Sequence, residues 1–245
     1  MKGRAKKMSL LDVASARYRA AGRFAWQFAR GKLRGDPAFS ALLERGLIRD
    51  GALLDIGCGQ GLLAAWLIAA RERFDAGEWP AGWPDPPRVV SYMGVELMPA
   101  DVERARQALC DRAGVPGVAG SGVRFVAADM RTAGFARADT VVMLDVLHYV
   151  PIAEQDAVLR RVRDALNPGG VLLLRIGDAG GGFGFHWSQW VDHAVMLARG
   201  HGWKRLYCRT LGSWQSSLAS LGFTVDPLPM SQGTAFANVL LVARG

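Results

Sequence analysis

The stretch LLDIGCGQG, Leu53–Gly61, decides the fold. Ala52–Ile56 reads as a strand, and Leu62–Phe74 reads as a helix with Leu63, Trp66, Leu67 and Ala70 on one face. Between them stand Gly57, Gly59 and Gly61. Such glycines let the backbone bend sharply and approach a ligand closely, and the helix that follows offers free N–H groups at its start. Asp55 lies two residues before the first glycine. The spacing is G-x-G-x-G, which differs from the G-x-G-x-x-G of dinucleotide sites.

The alternation continues along the chain. Strands are predicted at Val89–Glu96, Val123–Ala127, Thr140–Leu144 and Val171–Ile176, and helices at Ala100–Ala113 and Ile152–Leu166. Gly222–Val225 and Asn238–Val242 read as two more strands, joined by Asp226–Gly233. Apolar strands separated by helices indicate a parallel sheet covered on both faces. The fold class is therefore a doubly wound α/β sheet of seven strands. On the N-terminal side, residues 10–30 read as one helix and residues 38–47 as a short one, with residues 1–9 disordered. This gives a basic helical extension over residues 1–49 and a main domain over residues 50–245.

Two stretches interrupt the pattern. DAGEWPAGWPDPPR, residues 75–88, is a Pro- and Trp-rich loop between the first helix and the second strand. GDAGGGFG, residues 177–184, holds five glycines just past the fifth strand. It reads either as a mobile lid over a ligand or as an ordinary connection.

With 245 residues, half of them apolar, the chain can build one good core. It contains no run of eighteen apolar residues, and its start reads as no export signal. Its three cysteines, Cys58, Cys110 and Cys208, cannot all pair, which suits a reduced, cytoplasmic protein. No ligand spacing suggests a metal. Residues 1–35 carry ten basic residues against one acid, a net +9, whereas the whole chain carries +8, leaving −1 for residues 36–245. A local positive field of this kind attracts anionic partners.

With the glycine turn, the acid Glu96 closing the next strand, and FVAADM at residues 125–130, the sequence resembles the class I S-adenosylmethionine methyltransferases. That resemblance implies a mostly parallel sheet with an antiparallel last strand, S-adenosylmethionine as cofactor and S-adenosylhomocysteine as product. It implies that Asp55, Gly57, Cys58, Gly59 and Gly61 hold the amino-acid end of the cofactor. Glu96, with Leu97 beside it, would bind the ribose hydroxyls; a carboxylate can accept from two neighbouring hydroxyls. Asp129 would receive the adenine amino group, with Met130 beside the ring. Asp145 and Val146 would lie under the sulfonium, and Asn167–Gly170 matches the family's turn before the fifth strand. The insertion at 75–88 is a departure. It puts about 35 residues between Gly61 and Glu96, where about 20 is usual.

Methyl transfer from a sulfonium needs alignment, exclusion of water and, for some acceptors, removal of a proton. His148 and His186 are the candidate catalytic residues. A histidine suits a phenol-type acceptor, although His148 could also simply pack. His186 shares a helical spacing with Trp190 and His193, a face that either lines a substrate pocket or packs on the sheet. Asp145–His148 lacks the Pro-Pro-aromatic turn of base-amine methyltransferases, so nucleic acid is disfavoured as a substrate. The stretch ARYRAAGRFAWQFARGKLRGDP further resembles bacterial methyltransferases of aryl-polyene and pigment biosynthesis, which implies an aromatic or acyl-chain acceptor. Residues 1–35 could then dock an acidic acyl carrier protein or an anionic membrane, or could close over the cofactor, with Lys32 or Arg34 near its carboxylate. RNA or protein methylation and nicotinamide-dependent oxidoreduction stand as alternatives.

Overall fold

The computed structural model describes residues 8–110, 122–177, 206–230 and 238–245. Seven strands form one sheet in the order β3-β2-β1-β4-β5-β7-β6. They are β1 (Gly51–Ile56), β2 (Val89–Glu96), β3 (Val123–Ala127), β4 (Ala138–Leu144), β5 (Leu166–Gly177), β6 (Thr224–Pro229) and β7 (Asn238–Arg244). β4 runs parallel to β1 and β5, and β7 is antiparallel to both β5 and β6. Strand order reverses between β1 and β4, the position where open α/β sheets bind ligands beyond their carboxyl ends.

The chain divides into two compact units, residues 1–51 with 58–127 and residues 52–57 with 128–245. The first holds helices α1 (Leu10–Ala16), α2 (Arg23–Gly35), α3 (Pro37–Glu44), α4 (Leu62–Asp75) and α5 (Pro99–Leu109), with β2 and β3. The single helix expected over 10–30 is two helices and a 3-10 turn, Arg17–Arg19. Gly22, at φ +98°, interrupts it, a conformation that costs glycine little. α2 then runs through Gly31 and stops before Pro37, because the residue preceding a proline is pushed out of helical geometry. Asp36 at that stop caps α3, accepting from the Ala38 N–H at 3.0 Å. α4 is more enclosed than a one-sided helix. Leu62–Ala70 are all buried, and Trp66 Nε1 donates to the Phe39 carbonyl at 2.9 Å.

The second unit holds most of β1 together with β4, β5, β6 and β7, and helices α6 (Ile152–Ala165) and α7 (Leu211–Ser220). Its core is the apolar run of β4, β5 and β7: Val141–Met143, Leu172–Leu174 and Leu240–Ala243. Two expectations need correction. The turn at Asn167–Gly170 lies inside β5, where the register shifts between Ala138 and Thr140 of β4 and Asn167 Nδ2 donates to Asp139 at 2.8 Å. β6 continues through Pro227 and Pro229, which were expected in a loop. An edge strand tolerates proline because one row of its N–H groups has no ladder partner.

Candidate active site

In the second unit, β1 ends at Asp55, Ile56 and Gly57. Asp55 is buried and registers with Val142 of β4. Gly57 has φ +76°, and a Cβ there would collide with the Val146 side chain. Only glycine allows the two strand ends to approach so closely. Asp145, at φ +57°, is the one non-glycine residue with positive φ among those described. Its carboxylate takes two bonds from the buried Arg175, one from Nε at 2.9 Å and one from Nη2, and its N–H donates to the Arg175 carbonyl. A fork-on-carboxylate pair of this geometry holds an otherwise uncommon backbone conformation.

The 3-10 turn Leu147–Tyr149 follows. His148 is buried with its ring 4.2 Å from that of Tyr149. Burial pushes its imidazole down to about 4, and the nearby Asp145 charge only partly opposes this. At neutral pH the ring is uncharged.

Sequence reading missed the hub that holds this turn. Gln155, fully buried in α6, directs Nε2 at three carbonyls: Leu147 at 3.0 Å, Val150 at 2.8 Å and Tyr207 at 2.8 Å. Its Oε1 accepts from Arg209 Nε at 2.8 Å. Arg209 also reaches the Ile152 carbonyl, Ser217 and Asp156, and lies over the Trp214 ring. One signal could have found Gln155: it stands on the apolar face of α6 with Val158, Leu159 and Val162. Nothing in the sequence points to Arg209 as its partner.

Asp129 lies in a turn of the second unit. Its two oxygens accept from the Arg131 N–H at 2.9 Å, from Nε at 3.0 and 2.9 Å and from Nη2 at 2.6 Å. Arg131 also bonds Glu154, and the two carboxylates stabilise its charge, Asp129 more than Glu154. Arg161 holds the carbonyls of Met130, Arg131 and Ala133. An adenine amino group could bond Asp129 only where Arg131 gives up an acceptor site.

In the first unit, Cys58–Gly61 forms a closed turn. The Cys58 N–H donates to the Val95 carbonyl at 3.2 Å and the Gly61 N–H to the Cys58 carbonyl at 2.9 Å. The Gly59 N–H donates to Glu96 Oε2 at 3.0 Å, while Glu96 Oε1 accepts from the Met98 N–H at 2.9 Å. The acid that ends β2 thus holds the glycine turn, and each of its oxygens retains a further lone pair. A Cβ at Gly61 would lie 2.7 Å from the Phe125 ring, and one at Gly94 would lie 2.7 Å from Cys58 Sγ. Leu97, the next residue, is half exposed.

His186, His193, Trp190 and residues 178–184 of the expected lid lie outside the described residues. Among the described residues, no group of three or more His, Cys, Asp or Glu could hold a metal ion. No described helix is long and apolar enough to cross a membrane.

Residues 54–172 match the family described as Methyltransferase domain. The chain is 29% identical over 138 residues to a carboxy-S-adenosyl-L-methionine synthase of Actinobacillus succinogenes, covering 56% of this chain and 49% of that protein. It spans about half the length of the curated relatives it matches. In fold it is similar to the magnesium protoporphyrin IX methyltransferase of Synechocystis PCC 6803 with bound SAH, at 18% identity, TM-score 0.58 and 94% coverage of both chains. It is also similar to the S-adenosylmethionine-dependent methyltransferase SibL, at 20% identity and TM-score 0.62, covering 93% of this chain and 61% of that one. Residues 54–172 are thus similar to the Methyltransferase domain family, and the fold is the one seen in S-adenosylmethionine-dependent methyltransferases.

Proposed function

We propose that this protein transfers the methyl group of S-adenosylmethionine to a small-molecule acceptor and releases S-adenosylhomocysteine. The observation that carries the reading is the 3.0 Å bond from the Gly59 N–H to Glu96, which joins the glycine turn to the acid at the end of β2. When bound, the cofactor supplies an activated methyl whose carbon–sulfur bond breaks as the acceptor's lone pair forms the new bond. In this reading Asp55 and Gly57–Gly61 hold the amino-acid end, and Glu96 accepts from the ribose hydroxyls with its remaining lone pairs. Asp129, Met130 and Leu97 border the adenosine, and Asp145 and Val146 line the floor near the sulfonium. His148 holds a proton only below about pH 4, so we assign it the shaping of this floor. His186 remains the candidate for an acid–base role.

The acceptor in this reading is an aromatic or acyl-chain metabolite. Docking of an acidic carrier protein or anionic membrane by residues 1–35 belongs to the same proposal. Several described cations of that segment have internal partners, Arg17 with Glu72, Arg30 with Asp12 and Lys32 with Asp36. Docking therefore falls to the exposed Arg19, Arg23 and Arg34 and to the basic residues before Met8.

Calorimetry with S-adenosylhomocysteine and with NAD tests the reading. Binding of the former alone, weakened about tenfold or more by Glu96→Gln, is expected. Binding of NAD alone would refute it. A second reading, synthesis of a carboxylated cofactor, is favoured by the likeness to carboxy-S-adenosyl-L-methionine synthases. Mass spectrometry separates the two: one leaves S-adenosylhomocysteine, the other a nucleoside heavier than S-adenosylmethionine.

A further inference from the structure

Tyr18 lies in the 3-10 turn between α1 and α2 and is fully buried. Its hydroxyl donates to the Gln60 carbonyl at 2.8 Å, in the middle of the glycine turn and 42 residues away in sequence. The N–H of the same peptide unit, that of Gly61, donates to the Cys58 carbonyl. Both polar ends of this peptide are therefore fixed, one by the turn itself and one by the N-terminal segment.

The Gln60 side chain is anchored as well. It is 2% exposed, and its Nε2 donates to Asp101 Oδ1 at 3.1 Å in the first turn of α5. Arg104 Nη1 donates to the same Asp101 oxygen at 2.8 Å, and the Arg104 guanidinium lies 5.3 Å from the centre of the Phe24 ring in α2. The N-terminal helices thus reach the turn twice, directly through Tyr18 and indirectly through Phe24, Arg104 and Asp101.

A glycine turn gains freedom from its lack of side chains, and that freedom must be removed before its N–H groups can meet a ligand. We infer that Tyr18 is a positioning residue that latches the cofactor turn through the Gln60 carbonyl, so that the N-terminal segment sets cofactor affinity. The inference rests on the cofactor reading given above. It assigns residues 10–35 a role inside the site, whether or not they also dock a partner.

The test uses the full-length chain as wild type, Tyr18→Phe and Trp66→Phe. Trp66→Phe removes a buried hydrogen bond from α4 to the N-terminal segment that does not touch the turn. Two quantities are read: affinity for S-adenosylhomocysteine by calorimetry, and amide hydrogen exchange at residues 58–61 without ligand. Tyr18→Phe is expected to weaken binding about three- to tenfold and to speed exchange at 58–61. Trp66→Phe should change neither while lowering the melting temperature. Wild-type affinity in Tyr18→Phe would overturn the latch, as would an equal loss of affinity in Trp66→Phe. If Tyr18→Phe does not fold, 3-fluorotyrosine at position 18, which keeps the ring and alters the hydroxyl's donor strength, decides instead: unchanged affinity and unchanged exchange at 58–61 would overturn the latch. If the wild type binds no S-adenosylhomocysteine, the cofactor reading fails, and exchange at 58–61 still decides whether the latch exists.

Discussion

The glycine turn Cys58–Gly61 and the turn Asp145–Tyr149 belong to different units and are held by different means. The first is closed through its own backbone groups, which meet two carbonyls and two side chains. Its N–H and C=O groups bond Val95, Cys58, Glu96 and Tyr18, and two nearby glycines leave no room for a Cβ. The second is closed by side chains. Arg175 grips Asp145, and Gln155 and Arg209 collect the carbonyls that follow. A turn whose own N–H and C=O groups are held has a fixed backbone, which suits a constant ligand. A turn held by a side-chain hub can be changed one residue at a time, which suits the face an acceptor meets.

The difference can be broken experimentally, and the largest effect is expected at the end of β1. Gly57→Ala puts a Cβ into Val146 at φ +76°. Left-handed strain and overpacking each cost about 1–3 kcal/mol. S-adenosylhomocysteine binding is expected to fall at least a hundredfold by calorimetry. Retained binding would mean that the close approach of the strand ends is dispensable.

Gln155→Leu comes next. It leaves Arg209 and three carbonyls without their buried partner, for an expected loss of about 2–4 kcal/mol in urea unfolding. Affinity for S-adenosylhomocysteine should change less than threefold, because the glycine turn has its own closure. Loss of binding in a folded Gln155→Leu protein would show that the two turns are not held independently.

His148 sharpens the comparison through pH. Its imidazole is pushed down from 6.5 to about 4 by burial. The unfolded chain therefore binds a proton between those values while the folded one does not. The contribution is whole above about pH 6.5 and is lost as pH falls toward 4, for about 3 kcal/mol in all. Stability measured across that window should slope downward toward acid, and His148→Gln should flatten the slope.

The smallest effect is the reverse of the first. Gly31 lies in α2 with open space where a Cβ would stand and no positive φ, so Gly31→Ala should stabilise by about 1 kcal/mol in urea unfolding.

What the sequence made legible follows the same division. Strand ends marked by an acid or a glycine could be read, because Asp55, Gly57, Glu96 and the apolar runs around them carry local patterns. The mostly parallel sheet and its antiparallel β7 followed from the resemblance those patterns support; the strand order came from the structure. Contacts between distant segments could not be read. Tyr18 and Gln60 are 42 residues apart and Gln155 and Arg209 are 54 apart, and neither pair has a spacing that announces it. The engagement of Asp129 by Arg131 was hidden differently, since adjacent opposite charges are ordinary on a surface. The break at Gly22 was missed because the apolar periodicity continues across it, and only its φ reveals the bend.

The most direct measurement is a crystal of the full-length protein soaked with S-adenosylhomocysteine. Density for the amino-acid tail against residues 57–61, with the ribose hydroxyls on the Glu96 carboxylate, is the expected result. Density for the nucleoside elsewhere, or none at saturating ligand with Glu96 still bonded only to the Gly59 and Met98 N–H groups, would contradict the account.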